Sequence, residues 1–420
     1  MAACGFELAP TPAVPMRPLP ALPARQQLLK RHNRALVLRQ VAASENLSRA
    51  QLAARTGLTK ATVSTLVDAL MDARLVVEGE AERGLVGRPG SPVALNRRGP
   101  AGLGVEINVD YVSGCVIDLS GSVFSLETIA GDNRLVRAEV VLGDAARLAR
   151  RLWDEAGDAG LEVVGLGVGV PGLVDFEGVL HRAPNLRDWE GKVVAELLSG
   201  MLERPLRSLY CDNEANLAAL AERWYGRRRD LRDFVFVSGE IGVGAGIVIG
   251  GELFRGVRGL GGELGHVTVD PAGPRCSCGS RGCLESIAGE EAVLAATGIG
   301  ATGIEAAREL LRRALADEPS VLVALSAAGR ALGIALGTFL NVLDLPAVVL
   351  GGFYAELAPW LLGPLKAELS ERVVNHEWSS TEVIVSSLGS EATVKGAAGF
   401  TTRRIIDDPG GILEEAAAAG

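Results

Sequence analysis

Four side chains in one short stretch have the types and the spacing to hold a metal ion. In GGELGHVTVDPAGPRCSCGSRGCLESIAG, His266, Cys276, Cys278 and Cys283 stand 10, 2 and 5 residues apart. Three thiolates and one imidazole form a closed four-coordinate shell for Zn2+, with no position left for a substrate, so the expected ion is structural. Gly279 and Gly282 let the chain fold tightly enough for Cys278 and Cys283 to face one centre. The plain alternatives are unligated thiols or a disulfide. A Cys-x-Cys pair followed by a third Cys in a Gly-rich loop makes both poor. Cys4, Cys115 and Cys211 have no such company and read as a tail thiol and two buried apolar residues. Six cysteines in 420 residues, three of them clustered, do not form a disulfide framework, and a reducing, cytoplasmic setting is expected.

A second stretch, SRAQLAARTGLTKATVSTLVDALMDARLVVE (48–78), has the geometry to read a DNA groove. Ser48 with Gln51 forms a capping box that starts one helix, and Gly57 supplies the turn that ends it. Thr59 caps the next helix, in which Val63, Leu66, Val67 and Leu70 recur at i, i+3, i+4 and i+7 and bury one face. The other face shows Lys60, Ala61, Thr62, Ser64 and Thr65. These are small, polar and partly cationic, as a helix entering the major groove requires. Arg49 on the preceding helix and Thr59 complete this candidate contact set. The competing reading is an ordinary helical hairpin; Gly57 in the turn, Ala53 four residues before it and Val63 six after it favour helix-turn-helix. GLVGRPGSPVAL then reads as a wing. Its Arg88 suits a narrow minor groove or a solvated loop equally.

The elements that must position these groups follow from composition and pattern. Residues 25–98 hold 13 Lys/Arg against 6 Asp/Glu, whereas residues 99–420 hold 28 against 44. A basic module on an acidic body puts the polyanion-binding surface at one end. Residues 1–24, with six prolines, read as a disordered tail. Residues 25–98 read as a winged helix-turn-helix, with helical signals from Gln26 to Arg74 and a hairpin over 76–95. From Leu103 the texture becomes α/β. A strand pair turns at Ser120-Gly121, a helix covers 134–156, LEVVGLGVGVPG is a buried strand, and NEANLAALAERWYG is helical. A second hairpin follows at 233–254, then a helix at 320–343 and the strand AVVLGG. Strands and crossover helices followed by the same set again indicate two related lobes. The expected boundaries are 99–230, completed by about 388–405, and 231–387 with the zinc site. A flexible end covers 406–420. The apolar run Phe234–Phe254 is broken by Glu240 and Glu252, so no membrane-spanning segment or secretory leader is expected.

Together these residues resemble the ROK family of repressors, open reading frames and kinases. The likeness spans about 26–405 and is most specific in the GGELGH…CSCGSRGCLE run, with APNLRDW (183–189), NEANLAALAE (213–222), VVLGG (348–352) and EATVKGAA (391–398) beside it. The resemblance implies an actin/hexokinase-like two-lobed fold behind the mainly α winged head. It also implies a sugar pocket. In family members that bind sugars, an Asn-Asp pair, the Glu and His of Glu-x-x-His and the Glu after the last zinc cysteine hold the hydroxyls. The matching positions are Asn213, Glu214, Glu263, His266 and Glu285, with Gly172 in the pocket wall. Carboxylates and amides suit the task because each bridges neighbouring hydroxyls.

Three departures from family kinases point away from phosphoryl transfer. Glu214 stands where kinases carry the aspartate base, moving the carboxylate by roughly 1.5 Å. Asn108 and Val109 replace glycines in the first phosphate loop. In the second, Ile241 replaces a threonine and Glu240 would repel a polyphosphate. GVGVPG (167–172) also satisfies Gly-x-Gly-x-x-Gly, but Pro171 gives no helix N-terminus for a pyrophosphate. The expectation is a non-enzymatic repressor of carbohydrate genes. It would bind an operator duplex as a homodimer or tetramer and respond to a sugar or sugar phosphate. An active ATP-dependent sugar kinase and a sensor that docks a protein partner are the rivals.

Overall fold

The computed structural model describes residues 26–44, 46–79, 91–239, 242–300, 303–378 and 380–413. The Pro-rich start, the wing tip with Arg88, and Glu240 and Ile241 lie outside them.

In the head, helices Gln26–Ala43, Arg49–Thr56 and Lys60–Asp72 pack on a small sheet of Leu47–Ser48, Pro92–Leu95 and Val76–Glu78, in that order. The second helix forms because Ser48 accepts from the Gln51 N–H while the Gln51 side chain accepts from the Ser48 N–H. It ends because Gly57 adopts φ +71° and sends its N–H back to the Ala53 carbonyl. Thr59 then accepts from the Thr62 N–H, and Val63, Leu66, Val67 and Leu70 are buried.

The body holds two five-stranded sheets of identical topology. In the first lobe the strands are Pro100–Ile107, Tyr111–Asp118, Val123–Ala130, Glu162–Val170 and Ser208–Asn213. In the second they are Phe234–Gly239, Val243–Ile249, Glu252–Phe254, Ala347–Gly351 and Glu382–Val385. Each sheet runs third-second-first-fourth-fifth, with an antiparallel meander followed by two parallel additions. The third strand of each meander is missing from the sequence reading. Val123–Ala130 is half-exposed and lacks an apolar pattern, and Glu252–Phe254 is only three residues long.

Helices Ala138–Asp158 and Pro319–Leu343 make the corresponding crossovers between third and fourth strands. Pro319–Leu343 is long and apolar enough to span a membrane, which the sequence reading passed over. In the structure 61% of its apolar window is buried, and it packs on Ala358–Arg372.

The helix after the fifth strand of each lobe is central. Glu214–Tyr225 follows the first sheet yet packs on the hairpin strand Val243–Ile249 of the second. Ala392–Asp407 follows the second sheet yet lies on the first, against Pro100–Ile107 and Glu162–Val170. The two helices also pack on each other. Residues 406–413, expected as part of a flexible end, are instead packed. Ile405, Ile406 and Leu413 are buried, and Ile405 and Leu413 join Val37, Leu38 and Val41 of the head in one apolar cluster. Burying this apolar surface outweighs the ordering cost that the sequence reading assumed would win.

Candidate functional site

The Cys/His cluster is built by local backbone geometry. The Cys276 N–H bonds the Ser280 carbonyl and its carbonyl takes the Gly279 N–H, so residues 276–280 form a closed knuckle. Bridges Arg275–Arg281 and Thr268–Cys283 clamp that knuckle beside the turn Leu264–His266. Gly282 has φ +64°, and a methyl group there would overlap the Asp270 carbonyl oxygen. The four donor atoms all lie within 4.8 Å of one another. His266 Nδ1 is 3.7 Å from Cys276 Sγ, and Cys278 Sγ is 3.7 Å from Cys283 Sγ. A tetrahedral zinc–thiolate shell has edges of about 3.8 Å, from bonds of about 2.3 Å, so the donor set fits a metal of that size. Burial pushes the Cys283 thiol up to about 12, while the Ser280 N–H lowers Cys278. Adjacent thiolates in such a place are tenable around a cation.

Next to this cluster lies a cavity of about 210 Å³ between the lobes. Gly172, Asn213, Glu214, Glu263, His266 and Glu285 all line it, so the structure brings every residue of the proposed ligand set to one place. His266 turns Nδ1 to the thiolates and Nε2 to Glu263, 3.9 Å from its Oε2. Burial raises the Glu263 carboxyl; His266 pulls it back and Glu285 pushes it further up. Glu285 accepts from the Val243 N–H at 3.4 Å and from the Ser277 hydroxyl at 3.4 Å. From the opposite lobe, Asn213 caps its helix by accepting from the Ala215 N–H and donates to the Gly172 carbonyl at 3.0 Å. One side chain thus ties the helix to the pocket wall.

Several contributors escaped the sequence reading. Arg182, Asn185, Asn216 and Ser277 also line the cavity. Asp212, fully buried, accepts from the Asn213 N–H at 2.7 Å, from Asn216 Nδ2 at 2.9 Å and from the Tyr210 hydroxyl. Its counter-charge is Arg255, from the other lobe, at 3.1 Å. Burial pushes the Asp212 carboxyl up and Arg255 opposes that. Arg255 also donates to the carbonyls of Val174 and Asp175 at 2.9 Å each and lies over the Phe176 ring. Neither Asp212 nor its partner 43 positions away stood out in the sequence.

Asn108 and Val109, which line the same cavity, are buried. The Val109 N–H, which a glycine loop would offer to phosphate, is bonded to the Asn108 side chain at 2.7 Å. Glu240 and Ile241 lie outside the described residues.

In the head, Thr59, Lys60, Ala61 and Thr65 are exposed on one face, with Thr62 and Ser64 half-buried beside them. Arg49 is held by side-chain partners within the head. It bonds Glu78 Oε1 at 2.5 Å, Asp68 Oδ1 at 2.7 Å and the Ser64 hydroxyl at 2.8 Å, and the Glu78 bond raises its pKa. Two carboxylates hold it between the helices and the wing base, so it braces the face and occupies Ser64 in doing so.

The ROK family profile matches residues 102–404, and a MarR family profile matches 29–84. The chain belongs to the ROK family. This ROK protein is 30% identical over 386 residues to the xylose repressor of Bacillus subtilis (strain 168), covering 91% of this chain and 98% of that one. A solved ROK family transcriptional regulator, a homolog of the E. coli MLC protein, superposes with TM-score 0.75 at 24% identity, over 93% of this chain and 100% of that one. At that identity the likeness speaks for the fold. A ROK family glucokinase from Streptomyces griseus, solved with glucose and AMPPNP, superposes with TM-score 0.62 at 26% identity, over 71% and 98%.

Proposed function

We propose that this ROK protein is a sugar-responsive, DNA-binding transcriptional repressor of carbohydrate genes that works in the cytoplasm without phosphoryl transfer. The observation that carries the reading is the union of two devices in one chain. A capped helix-turn-helix shares its apolar core with a body whose inter-lobe cavity gathers Asn213, Glu214, Glu263, His266 and Glu285. The similarity to a xylose repressor over nearly the whole length of both chains supports it.

In this reading His266, Cys276, Cys278 and Cys283 hold a structural Zn2+, which supplies rigidity and no chemistry. The imidazole held on one edge by the metal presents Nε2 to the pocket, so the ion orients a sugar contact. The carboxylates and amides bridge ring hydroxyls. A cavity of about 210 Å³ suits a compact ligand, being smaller than the roughly 300–1,000 Å³ of drug-sized sites. Arg182 is the sole Lys or Arg among the described lining residues, against Glu214, Glu263 and Glu285, which favours an unphosphorylated sugar over a phosphate ester. In the head, Thr59, Lys60, Ala61, Thr62, Thr65 and the wing residue Arg88 contact the operator, and a homodimer presents two such heads to a two-fold site.

The kinase reading draws support from the likeness to glucokinases. The Val109 N–H spent on Asn108 and the Glu214 substitution weigh against it. The deciding experiment is a pair of assays on purified protein. Differential scanning fluorimetry with D-xylose, D-glucose, N-acetylglucosamine and their phosphates is expected to show stabilisation by a sugar, lost in Glu263→Ala. A coupled ADP-release assay with the same panel and ATP is expected to show no turnover; turnover abolished by Glu214→Ala would replace the repressor reading with the kinase one. Partner binding that survives Glu263→Ala, with no sugar-induced shift, would favour protein docking.

A further inference from the structure

The cavity and the DNA-binding head are joined by a stack of backbone-on-backbone contacts, and its last member ends on the head. At the base of the stack the second-lobe strand Val243–Ile249 meets helix Glu214–Tyr225. A methyl on Gly246 would overlap the Ala215 carbonyl, one residue from Glu214 of the pocket. On its other side that helix meets Ala392–Asp407 with equal closeness: a methyl on Gly396 would overlap the Leu217 carbonyl, and Gly399 lies against the Tyr225 ring. Thr393 Oγ1 donates to the Glu214 carbonyl itself at 3.2 Å. At Gly396 no side chain separates the two helices, so a rotamer change there cannot absorb a displacement of one against the other.

Ala392–Asp407 runs for 16 residues, about 24 Å at 1.5 Å per residue. Its far end belongs to the head. Ile405 lies in the apolar cluster of Val37, Leu38 and Val41. Asp407 receives Arg39 Nε at 2.8 Å, with Arg39 Nη2 on the Asp407 carbonyl at 3.0 Å. Asp408, just past the helix, receives Arg31 in a two-pronged pair whose Nε bond is 2.6 Å.

We propose that helix Ala392–Asp407 carries the state of the cavity to the DNA-binding head, the Arg39–Asp407 and Arg31–Asp408 pairs being the coupling. The proposal rests on the sugar-responsive, DNA-binding reading above. A ligand that draws Glu263, His266 and Glu285 of one lobe towards Asn213 and Glu214 of the other shifts the Val243–Ile249 strand against helix Glu214–Tyr225. That helix must then move Ala392–Asp407, and the first helix of the head, Gln26–Ala43, moves with it. Shifts of about 1–2 Å between packed helices are enough to reposition a domain. The head has a second footing on the body, where Arg97 pairs with Asp118 at 3.1 Å and Arg74 donates to the Gly160 carbonyl at 2.9 Å. That footing touches the first-lobe sheet and not the helix, and it serves as the internal control.

The test uses the full-length protein and the double variant Arg31→Ala/Arg39→Ala. Both arginines are at least half exposed, so the fold is retained and thermal melting verifies it. Affinity for a fluorescent duplex from upstream of its own gene is measured by anisotropy without sugar and with saturating D-xylose or D-glucose. Sugar affinity itself is measured by calorimetry. Wild type is expected to change its operator affinity on sugar binding by a factor within the roughly 5–150-fold range of two-site coupling. The double variant is expected to bind sugar within about twofold of wild type while its operator affinity responds clearly less than wild type's, the contact of Ile405 with Val37, Leu38 and Val41 being left in place. The ratio with and without sugar cancels any direct loss of charge at the DNA. Arg97→Ala is expected to keep the response, and the swapped pair Arg39→Asp/Asp407→Arg is expected to restore part of it to Arg39→Asp. A double variant that responds as wild type does, or an Arg97→Ala that loses the response equally, overturns the coupling helix while leaving the repressor reading intact. A wild-type protein whose operator affinity ignores every sugar that it binds overturns the repressor reading and the coupling together.

Discussion

Arg255→Ala addresses how the two lobes are held in register around the cavity. The arginine is 8% exposed and Asp212 is fully buried, with 3.1 Å between Nη2 and Oδ1. Truncation removes the counter-charge and both carbonyl bonds to Val174 and Asp175, leaving Asp212 with the Tyr210 hydroxyl, the Asn216 amide and the Asn213 N–H. Breaking a buried ion pair from one side costs about 3–5 kcal/mol, because a charge is stranded. The three surviving donors place the expected loss near the lower end, about 3 kcal/mol, against about 0.2–1 kcal/mol for a solvent-exposed pair. Neutralising the stranded charge has the opposite sign: Arg255→Ala/Asp212→Asn is expected to be more stable than Arg255→Ala by about 1–2 kcal/mol. Urea denaturation followed by tryptophan fluorescence measures both, and hydrogen exchange over 173–182 and 208–216 reports where the loosening occurs. A loss under about 1 kcal/mol, or a double variant no more stable than the single one, would refute the buried-charge argument.

Three further outcomes are expected. Gly282→Ala, which drives a methyl into the Asp270 carbonyl at φ +64°, is expected to yield protein with much less than the about one zinc per chain of wild type by elemental analysis; full zinc content would disprove the knuckle geometry. Gly57→Ala has open space around it but φ +71°, so a loss of about 1–2 kcal/mol in head stability is expected from backbone strain alone, read by thermal melting. Lys60→Ala is expected to lower the slope of log operator affinity against log salt by about 1, whereas Arg49→Ala, already paired to Glu78 and Asp68, is expected to lower thermal stability with little change in slope. Equal slopes for wild type and Lys60→Ala would remove that lysine from the phosphate contacts.

Whatever depends on neighbours a few residues apart was legible before folding was considered. The capping box of Ser48 and Gln51, the Gly57 stop, the Thr59 cap and the i, i+3, i+4, i+7 burial of the recognition helix are short-range hydrogen bonds and periodicities, and all stand in the structure. The Cys/His cluster was legible in part for the same reason, since a knuckle of five residues fixes Cys276 and Cys278, while the Thr268–Cys283 bridge and the turn at Leu264–His266 bring in the other two donors. Tertiary structure alone decided what depends on partners distant in the chain. That Asp68 and Glu78 would pair with Arg49 was not legible in the local pattern around it. Arg255 carried no motif, yet it is the charge that completes Asp212. Residues 406–413 had the composition of a loose end, and became ordered because apolar surface on Ile412 and Leu413 found the head's core. Local pattern fixes which helix or turn forms, because its energy is spent within a few residues. Which charge is neutralised and which end is buried follows from packing between segments tens to hundreds of residues apart, and no local pattern records it.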